Sequence, residues 1–259
     1  MKRELLSVVV TTFDNAATLE RCLASVVFAD DLVVLDSGSR DGTVEIAAKY
    51  KARVFSEPFK GYAAQKQSAI DKAAHAWVLL LDADEELTAA AHPLIERALE
   101  HPQATGFRLP RREQMFWIFQ HPLSWINAHL RLFDRRRTCM NAVPVHATPE
   151  TDGPVHTLRG AILLHYGEPD IHTKVEKINA YSSGLVADKL RRRQRFLGVR
   201  MLAYPPLFFL RQYFVKRYFL NGWAGFISAV IGAFYVFIKY AKVYEARRRD
   251  RACRPRPPS

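Results

Sequence analysis

The chain has 259 residues, 49% of them hydrophobic and 25% charged, a balance typical of globular proteins with ample apolar material for a core. Lys and Arg number 38 against 26 for Asp and Glu, and this net charge of +12 points to a phosphorylated substrate, anionic lipid or nucleic acid. The 3 cysteines are odd in number and far apart, which argues against a disulfide framework or a zinc site. The apolar run near the N-terminus is too short for a secretory signal, so we expect a cytosolic domain.

Alternating strand and helix patterns fill the first hundred residues. The predicted strands cover Leu5–Thr12, Asp31–Leu35, Arg53–Phe55 and Trp77–Asp82. The predicted helices follow them, around Leu19–Val26, Val44–Tyr50, Gly61–Ala74 and Thr88–Glu100. Such an order predicts an α/β fold with a mostly parallel, doubly wound sheet.

The fourth strand ends in a dense group of acids. Its apolar run stops at Asp82, and Asp84, Glu85 and Glu86 follow directly. Asp82 and Asp84 are two residues apart, so in extended chain their side chains leave the same face. Ligands bind at the carboxyl ends of strands in open α/β sheets, and oxygen ligands suit Mg²⁺ or Mn²⁺. The alternative interpretation is that these acids favour the N-terminus of the following helix.

Two further features belong to the same half of the chain. The second strand runs into a polar loop, D-S-G-S-R-D-G-T, which begins at Asp36 and ends at Thr43. Lys66 lies near the start of the third helix, where a lysine can meet a phosphate as a point charge or simply be solvated.

Four sequence motifs in fixed order resemble those of the family-2 glycosyltransferases of the GT-A fold. They are V-V-V-T-T-F-D-N, L-D-S-G-S-R-D-G-T, G-Y-A-A-Q-K-Q and L-D-A-D-E-E, and the branch they resemble most is the bacterial lipopolysaccharide-core β-glucosyltransferases. The resemblance implies a nucleotide-sugar site in which Asp36 holds the base and Asp82 the ribose and diphosphate region. It also implies donor contacts at Thr11 and Lys66, and an Mg²⁺ or Mn²⁺ ion held by Asp84.

The alternation of predicted strands and helices ends near residue 100, and the acceptor half is expected after it. Aromatic residues of 115–125, together with Arg111, Arg112 and Arg131, suit a phosphate-decorated sugar acceptor. The alternative is that these are core aromatics and surface arginines.

The residue expected as catalytic base is absent. The core transferases that the chain resembles carry a V-H-E triplet, but here Ala147 follows His146. An inverting transfer still needs a group that accepts the proton of the acceptor hydroxyl. Glu150 is favoured narrowly over His146, and Asp152 comes next.

The C-terminal part is basic and aromatic. Tyr218–Ile238 contains 21 residues without a charge, flanked on both sides by basic clusters. A single span would place the Arg-rich tail across the membrane from the catalytic domain, against the positive-inside tendency. Peripheral attachment to anionic lipid is therefore favoured, and a span and a soluble packed helix are the alternatives. The expected parts are a GT-A domain over 1–185 (donor half 1–100, acceptor half 101–185), a membrane-associating helical region over 186–246, and a disordered basic tail over 247–259.

These observations predict an inverting, metal-dependent hexosyltransferase. Its expected donor is a UDP-hexose, its acceptor a membrane-borne glycolipid, with lipopolysaccharide core foremost, and its location the cytoplasmic face of the bacterial inner membrane. A polyprenyl phosphate is the alternative acceptor. A basic nucleic-acid-binding protein is disfavoured, because the positive charge collects beside the aromatic C-terminal run and no nucleic-acid-binding motif is visible.

Overall fold

The computed structural model describes residues 3–141, 147–191 and 196–252. The chain divides into two compact units. The first comprises Met1–Arg112 and Ile126–Gly167, and the second comprises Glu113–Trp125 and Glu168–Ser259.

The strands and helices follow the chain in this order. The strands are β1 (Leu6–Thr12), β2 (Asp31–Asp36), β3 (Arg53–Ser56), β4 (Trp77–Asp82), β5 (Glu85–Leu87), β6 (Gly106–Met115), β7 (Ile118–Phe119), β8 (Asn127–Asp134), β9 (Thr138–Met140), β10 (Pro149–Thr151), β11 (Val155–Thr157) and β12 (Leu163–His165). The helices are α1 (Ala16–Ala24), α2 (Thr43–Lys49), α3 (Tyr62–Asp71), α4 (Ala91–Glu100), α5 (Ile171–Gly184), α6 (Val186–Arg191), α7 (Leu197–Leu210) and α8 (Gly222–Ala252). A π-helical turn at Arg211–Val215 and a 3₁₀ turn at Tyr218–Asn221 lie between α7 and α8.

The main sheet of the first unit has the strand order β3-β2-β1-β4-β8-β6-β12-β5. The strands β1 to β4 are parallel to their neighbours, and β8 joins β4 antiparallel. Val8 and Val10 of β1 pack in the same cluster as residues of α1 and α4, while Val9 packs with Ala69 and Ile70 of α3. Successive side chains of a strand point to opposite faces, so helices cover both faces of the sheet. The predicted α/β, mostly parallel, doubly wound sheet is confirmed.

The largest difference from the predicted elements follows the acidic group. Glu85–Leu87 forms β5, which pairs antiparallel with β12, and α4 begins only at Ala91 instead of Thr88. The first turn of α4 contains no acidic residue. The acids after β4 therefore do not act at a helix N-terminus. Sequence periodicity missed β5 because its partner strand lies about 75 residues further along the chain, and a three-residue strand has no period of its own.

The second unit is organised around α8. Val236, Tyr240 and Val243 of α8 are buried with Leu197 of α7, and residues of α6 pack against the same cluster. The helix continues to Ala252, beyond residue 247 at which the predicted disordered tail starts, and Arg249 pairs with Glu245 one turn earlier on it. Residues 253–259 lie outside the described residues.

The aromatic segment of the acceptor half also belongs to the second unit. Met115 and Phe116 are buried against Ala224 of α8. Trp117, Leu123 and Trp125 are exposed by 64%, 65% and 62%. Part of the segment is therefore core, as the alternative interpretation expects, and acceptor binding by the exposed rings stays a prediction.

Candidate active site

Three of the predicted donor residues lie at one edge of the sheet. In the parallel register, Thr11 of β1 is opposite Asp82 of β4, and Thr12 is opposite Asp36 of β2. Neighbouring strands are about 4.8 Å apart, so the three strand ends form one continuous rim. This edge consists of the carboxyl ends of the strands, the usual place for a ligand in this class of fold.

Asp36 shapes the loop that follows β2. Its side chain is 2% exposed. One carboxylate oxygen accepts the N–H groups of Gly38 and Ser39 at 2.9 Å, and the other accepts the Ser39 hydroxyl at 2.5 Å. Gly38 has φ +98°, a conformation that residues with a Cβ rarely adopt. The carboxylate therefore fixes the backbone of the predicted base-binding loop, and its contact with a base stays a prediction.

Lys66 pairs with Asp82 at the rim. Its Nζ lies 2.5 Å from Asp82 Oδ1, and the side chains are 14% and 28% exposed. Burial favours the neutral acid, but Lys66 and Arg131 outweigh it and hold the pKa of Asp82 well below its usual range. Of the two sequence-based interpretations of Lys66, the structure therefore supports a lysine directed into the site.

Asp82 also contacts Arg131, which in turn binds the buried carboxylate of Glu85. Arg131 of β8 donates to Asp82 Oδ2 at 2.8 Å and to Glu85 Oε1 at 2.5 Å. Glu85 is fully buried, receives the Asp82 N–H at 3.1 Å and also pairs with Arg111 at 3.1 Å. Burial opposes the charged guanidinium, but Glu85 and Asp82 raise the pKa of Arg131. Lys66, Asp82, Arg131, Glu85 and Arg111, hereafter the charge network, form one connected group.

Asp84 contacts His165, the last residue of β12. His165 Nε2 lies 3.2 Å from Asp84 Oδ2, with side-chain exposures of 20% and 30%. The backbone sets this contact: His165 is opposite Glu85 in the β5–β12 pair, and the Tyr166 N–H donates to the Asp84 carbonyl at 2.8 Å. The Tyr166 hydroxyl also donates to Glu86 Oε2 at 2.5 Å, which ties β12 to the acidic group.

The Asp84–His165 pair fits the expected divalent ion. A carboxylate oxygen suits both Mg²⁺ and Mn²⁺, whereas an imidazole nitrogen suits a first-row transition metal such as Mn²⁺ better than Mg²⁺, which prefers oxygen ligands. Within the described residues, no group of three or more His, Cys, Asp or Glu forms a closed metal cage. Asp84 and His165 alone would leave coordination positions for other ligands, such as the phosphates of a substrate.

Two of the three candidate bases, Glu150 and Asp152, lie on or beside a small separate sheet. Glu150 of β10 is exposed and accepts from Asn141 Nδ2 at 3.0 Å. Next to Asn141, the Met140 N–H donates at 2.9 Å to the side chain of Gln67, the residue that follows Lys66. Glu150 is thus linked through β9 to the helix that carries Lys66. Asp152 is 68% exposed and pairs with Arg137 at 2.8 Å. The other candidate base, His146, lies outside the described residues.

The sequence model of the family described as "Glycosyl transferase family 2" matches residues 7–150. The chain belongs to this family. Its relatives include the lipopolysaccharide core biosynthesis glycosyltransferase LpsC of Rhizobium meliloti, 30% identical over 93% of this chain and 92% of the relative. An uncharacterized glycosyltransferase of Rickettsia typhi is 29% identical over 95% of this chain and 89% of the relative. Coverage on both sides is nearly complete, so the similarity to glycosyltransferases extends beyond the residues that the family model matches.

Solved structures of lower similarity accompany these relatives. The mannosyltransferase PcManGT of Pyrobaculum calidifontis, in complex with GDP-Man and Mn²⁺, is 14% identical with a TM-score of 0.49, covering 99% of this chain and 78% of that chain. Glucosyl-3-phosphoglycerate synthase from Mycobacterium tuberculosis, in complex with Mn²⁺, UDP and glucosyl-3-phosphoglycerate, is 24% identical with a TM-score of 0.36, covering 43% and 44%.

Two features of the glycosyltransferase site are missing from the predicted site residues. Arg131 is assigned by the sequence analysis to the acceptor side, but it contacts Asp82 and Glu85. Its position within the buried run Leu130–Asp134 is the local signal for an inward-facing arginine. His165 carries a weaker signal, since it ends a short strand directly before a tyrosine.

Proposed function

We propose that this glycosyltransferase moves a hexose, with inversion, from a nucleoside diphosphate sugar to a membrane-borne glycolipid of the lipopolysaccharide-core class. The observation that carries the proposal is the charge network beside the Asp84–His165 pair, at the carboxyl ends of β1, β2 and β4. The acceptor class is supported by the printed function of LpsC. UDP is the proposed nucleotide carrier, as the resemblance to the core glucosyltransferases implies.

The charge network leaves a surplus of one positive charge for a diphosphate. Lys66, Arg111 and Arg131 provide three cations, while Asp82 and Glu85 provide two carboxylates. Lys66 Nζ has three N–H donors and spends one on Asp82, so two remain for phosphate oxygens. In the proposed reaction Lys66 offsets the charge that develops on the leaving diphosphate, while Thr11 and Asp36 contact the nucleoside part of the donor.

Asp84 and His165 are the proposed ligands of Mg²⁺ or Mn²⁺. When bound, the ion supplies Lewis-acid stabilisation of the diphosphate. Asp82 stays ionised beside Lys66 and Arg131, and so orients the ribose and diphosphate region as a hydrogen-bond acceptor. Glu150, or His146 in its place, accepts the proton of the attacking acceptor hydroxyl. Inversion follows because the acceptor oxygen attacks the anomeric carbon from the side opposite the diphosphate.

The acceptor places the reaction at a membrane. Tyr218–Arg249 is long and apolar enough to cross a bilayer, with mean hydropathy 1.6, but 39% of its most apolar window is buried in the protein. We favour peripheral attachment at the cytoplasmic face of the inner membrane, because the partly buried helix presents only one side to lipid and is flanked by basic residues.

The direct experiment is a product assay with the full chain. The purified protein is incubated with Mn²⁺, radiolabelled UDP-hexoses and either lipopolysaccharide with a truncated core or a polyprenyl phosphate. We expect label in the lipopolysaccharide and a product anomer opposite to that of the donor. Label in the polyprenyl phosphate alone would show that a polyprenyl phosphate, and not lipopolysaccharide, is the acceptor. A product with the same anomeric configuration as the donor would contradict an inverting transfer.

A further inference from the structure

A groove of about 270 Å³ separates α7 from α8 in the second unit. Phe208 and Val236 form its apolar floor, and Leu207, 60% exposed, forms part of its wall. Gly232 makes the floor possible, because a Cβ at this position would lie 2.8 Å from the Phe208 ring. The interior of the groove is therefore an apolar surface that a hydrocarbon chain could contact.

Two cations lie at the rim of this groove. Arg211 begins the π-helical turn after α7, and π-helical turns are frequent at functional sites. Lys239 of α8 lies over the rings of Tyr235 and Tyr240, with its Nζ 5.2 and 5.0 Å from their centroids. Both side chains thus sit where aliphatic and aromatic surface meets solvent.

These cations have no carboxylate partner among the described residues. The sequence contains neither Asp nor Glu between Asp188 and Glu245, a stretch that covers α7 and most of α8. Burial and the neighbouring Lys189 lower the pKa of Lys239, and burial and Arg211 lower that of Lys216. Arg211 is exposed and Lys239 is half-buried, and two cations beside an apolar surface that have no carboxylate partner in the described part of the chain offer charge-assisted hydrogen bonds to an anion.

The combination of an apolar floor and a cationic rim selects the occupant. A free anion would use Arg211 and Lys239 but leave the floor of Phe208 and Val236 in water. A second copy of this groove would bring like charges together. A lipid with a phosphate headgroup satisfies both parts, since each CH₂ that leaves water contributes about 0.8 kcal/mol and the phosphate takes charge-assisted hydrogen bonds.

We infer that the α7–α8 groove binds one phosphate-bearing lipid molecule. The phosphate lies between Arg211 and Lys239, and a hydrocarbon chain lies on Phe208 and Val236. The outward residues Leu202, Leu210 and Phe214, which are 78%, 49% and 57% exposed, continue the apolar surface along the same segment. This assignment does not depend on the proposed transfer reaction, because no donor-site residue takes part.

The test uses the full chain and a short-chain lipid below its micelle concentration. Dihexanoyl phosphatidic acid is titrated into the protein by calorimetry. Two comparison ligands are titrated separately: glycerol 3-phosphate, which lacks the chains, and dihexanoyl phosphatidylcholine, which lacks the net charge. We expect saturable binding of one phosphatidic acid, tighter than either comparison ligand by about tenfold or more. Equal binding of glycerol 3-phosphate would reduce the site to a free-anion site and overturn the lipid assignment.

Variants separate the groove from general basic charge. Replacing both rim cations (R211Q/K239Q) should weaken phosphatidic acid binding about tenfold or more, while the same charge change on the outer end of α8 (R248Q/R249Q) should leave it unchanged. L207Q, at an exposed position, should weaken lipid binding and spare glycerol 3-phosphate. Circular dichroism and gel filtration check that each variant is folded and monodisperse. Equal losses in the two double variants, or a dimer abolished by R211Q/K239Q, would overturn the inference.

Discussion

Asp82 and Glu85 are two carboxylates in one small volume, and Arg131 bridges them. Its Nη2 donates to both, at 2.8 and 2.5 Å, and its side chain is only 7% exposed. Without this guanidinium, the fully buried Glu85 would keep Arg111 as its one cationic partner among the residues that the structure describes. At the scale of single residues, the donor site therefore depends on a side chain that contributes structure and charge together.

Replacing Arg131 with Met should destabilise the first unit strongly. Breaking a buried ion pair leaves an uncompensated charge, and the typical cost is about 3–5 kcal/mol. The matched control is Arg137→Met, whose pair with Asp152 is exposed on both sides (49% and 68%) and should contribute no more than about 1 kcal/mol. Urea denaturation followed by circular dichroism measures both. A loss near 1 kcal/mol for Arg131→Met would contradict the stabilising role assigned to the buried Arg131–Glu85 pair.

Sequence reasoning found the carboxylates of the site but missed two of their partners. Asp36 and Asp82 each end a β-branched or leucine-rich run, a local pattern that marks a strand end without help from distant residues. Arg131 and His165 reach the site only because β8 pairs with β4 and β12 pairs with β5. These pairings join segments about 50 and 80 residues apart, and no local period encodes them.

At the scale of elements, β9 and β10 link the proposed base to the donor side. Met140 of β9 is bonded to Gln67 of α3, and Glu150 of β10 lies opposite Cys139 of β9. The strands β1, β2 and β4 were predictable because each is a short, continuous apolar run. The β9–β10 pair was not predicted, because three-residue strands lack a measurable alternation.

Glu150→Ala should lower turnover by ~10²-fold or more at saturating donor, with donor affinity unchanged, because only the proton acceptor is lost. Glu20→Ala, at an exposed position of α1, is the control, and Asp152→Ala tests the next candidate base. His146→Ala is assayed beside them. A comparable loss in the histidine variant alone would assign the base to the imidazole, and full activity in both variants would remove both candidates.

At the scale of the whole molecule, the net charge of +12 is unevenly distributed. The stretch between Asp188 and Glu245 is free of acids and carries many of the exposed large apolar side chains, such as Leu202, Val215 and Trp223. Basic residues beside exposed apolar surface are characteristic of proteins that lie on anionic membranes.

The full chain should sediment with anionic vesicles and be released largely by high salt or alkaline carbonate. Each basic residue near such a surface contributes roughly 1 kcal/mol, and salt screens this attraction. Neutral phosphatidylcholine vesicles are the control and should retain much less protein. Extraction by detergent alone, with the C-terminus accessible from the opposite side of the membrane, would show that Tyr218–Arg249 spans the bilayer.

The most direct test of the donor site is a thermal-shift measurement with nucleotide-sugars, with and without Mn²⁺. A ligand that binds only the native state at 100 times its Kd adds about 2.7 kcal/mol, which corresponds to roughly 5 °C or more for a chain of this size. We predict this shift for wild type and for the exposed control Glu20→Ala with a UDP-hexose and Mn²⁺. Asp84→Ala should keep its ligand-free melting temperature and lose the Mn²⁺-dependent shift. An undiminished shift in Asp84→Ala would contradict the placement of the donor site at Asp82 and Asp84.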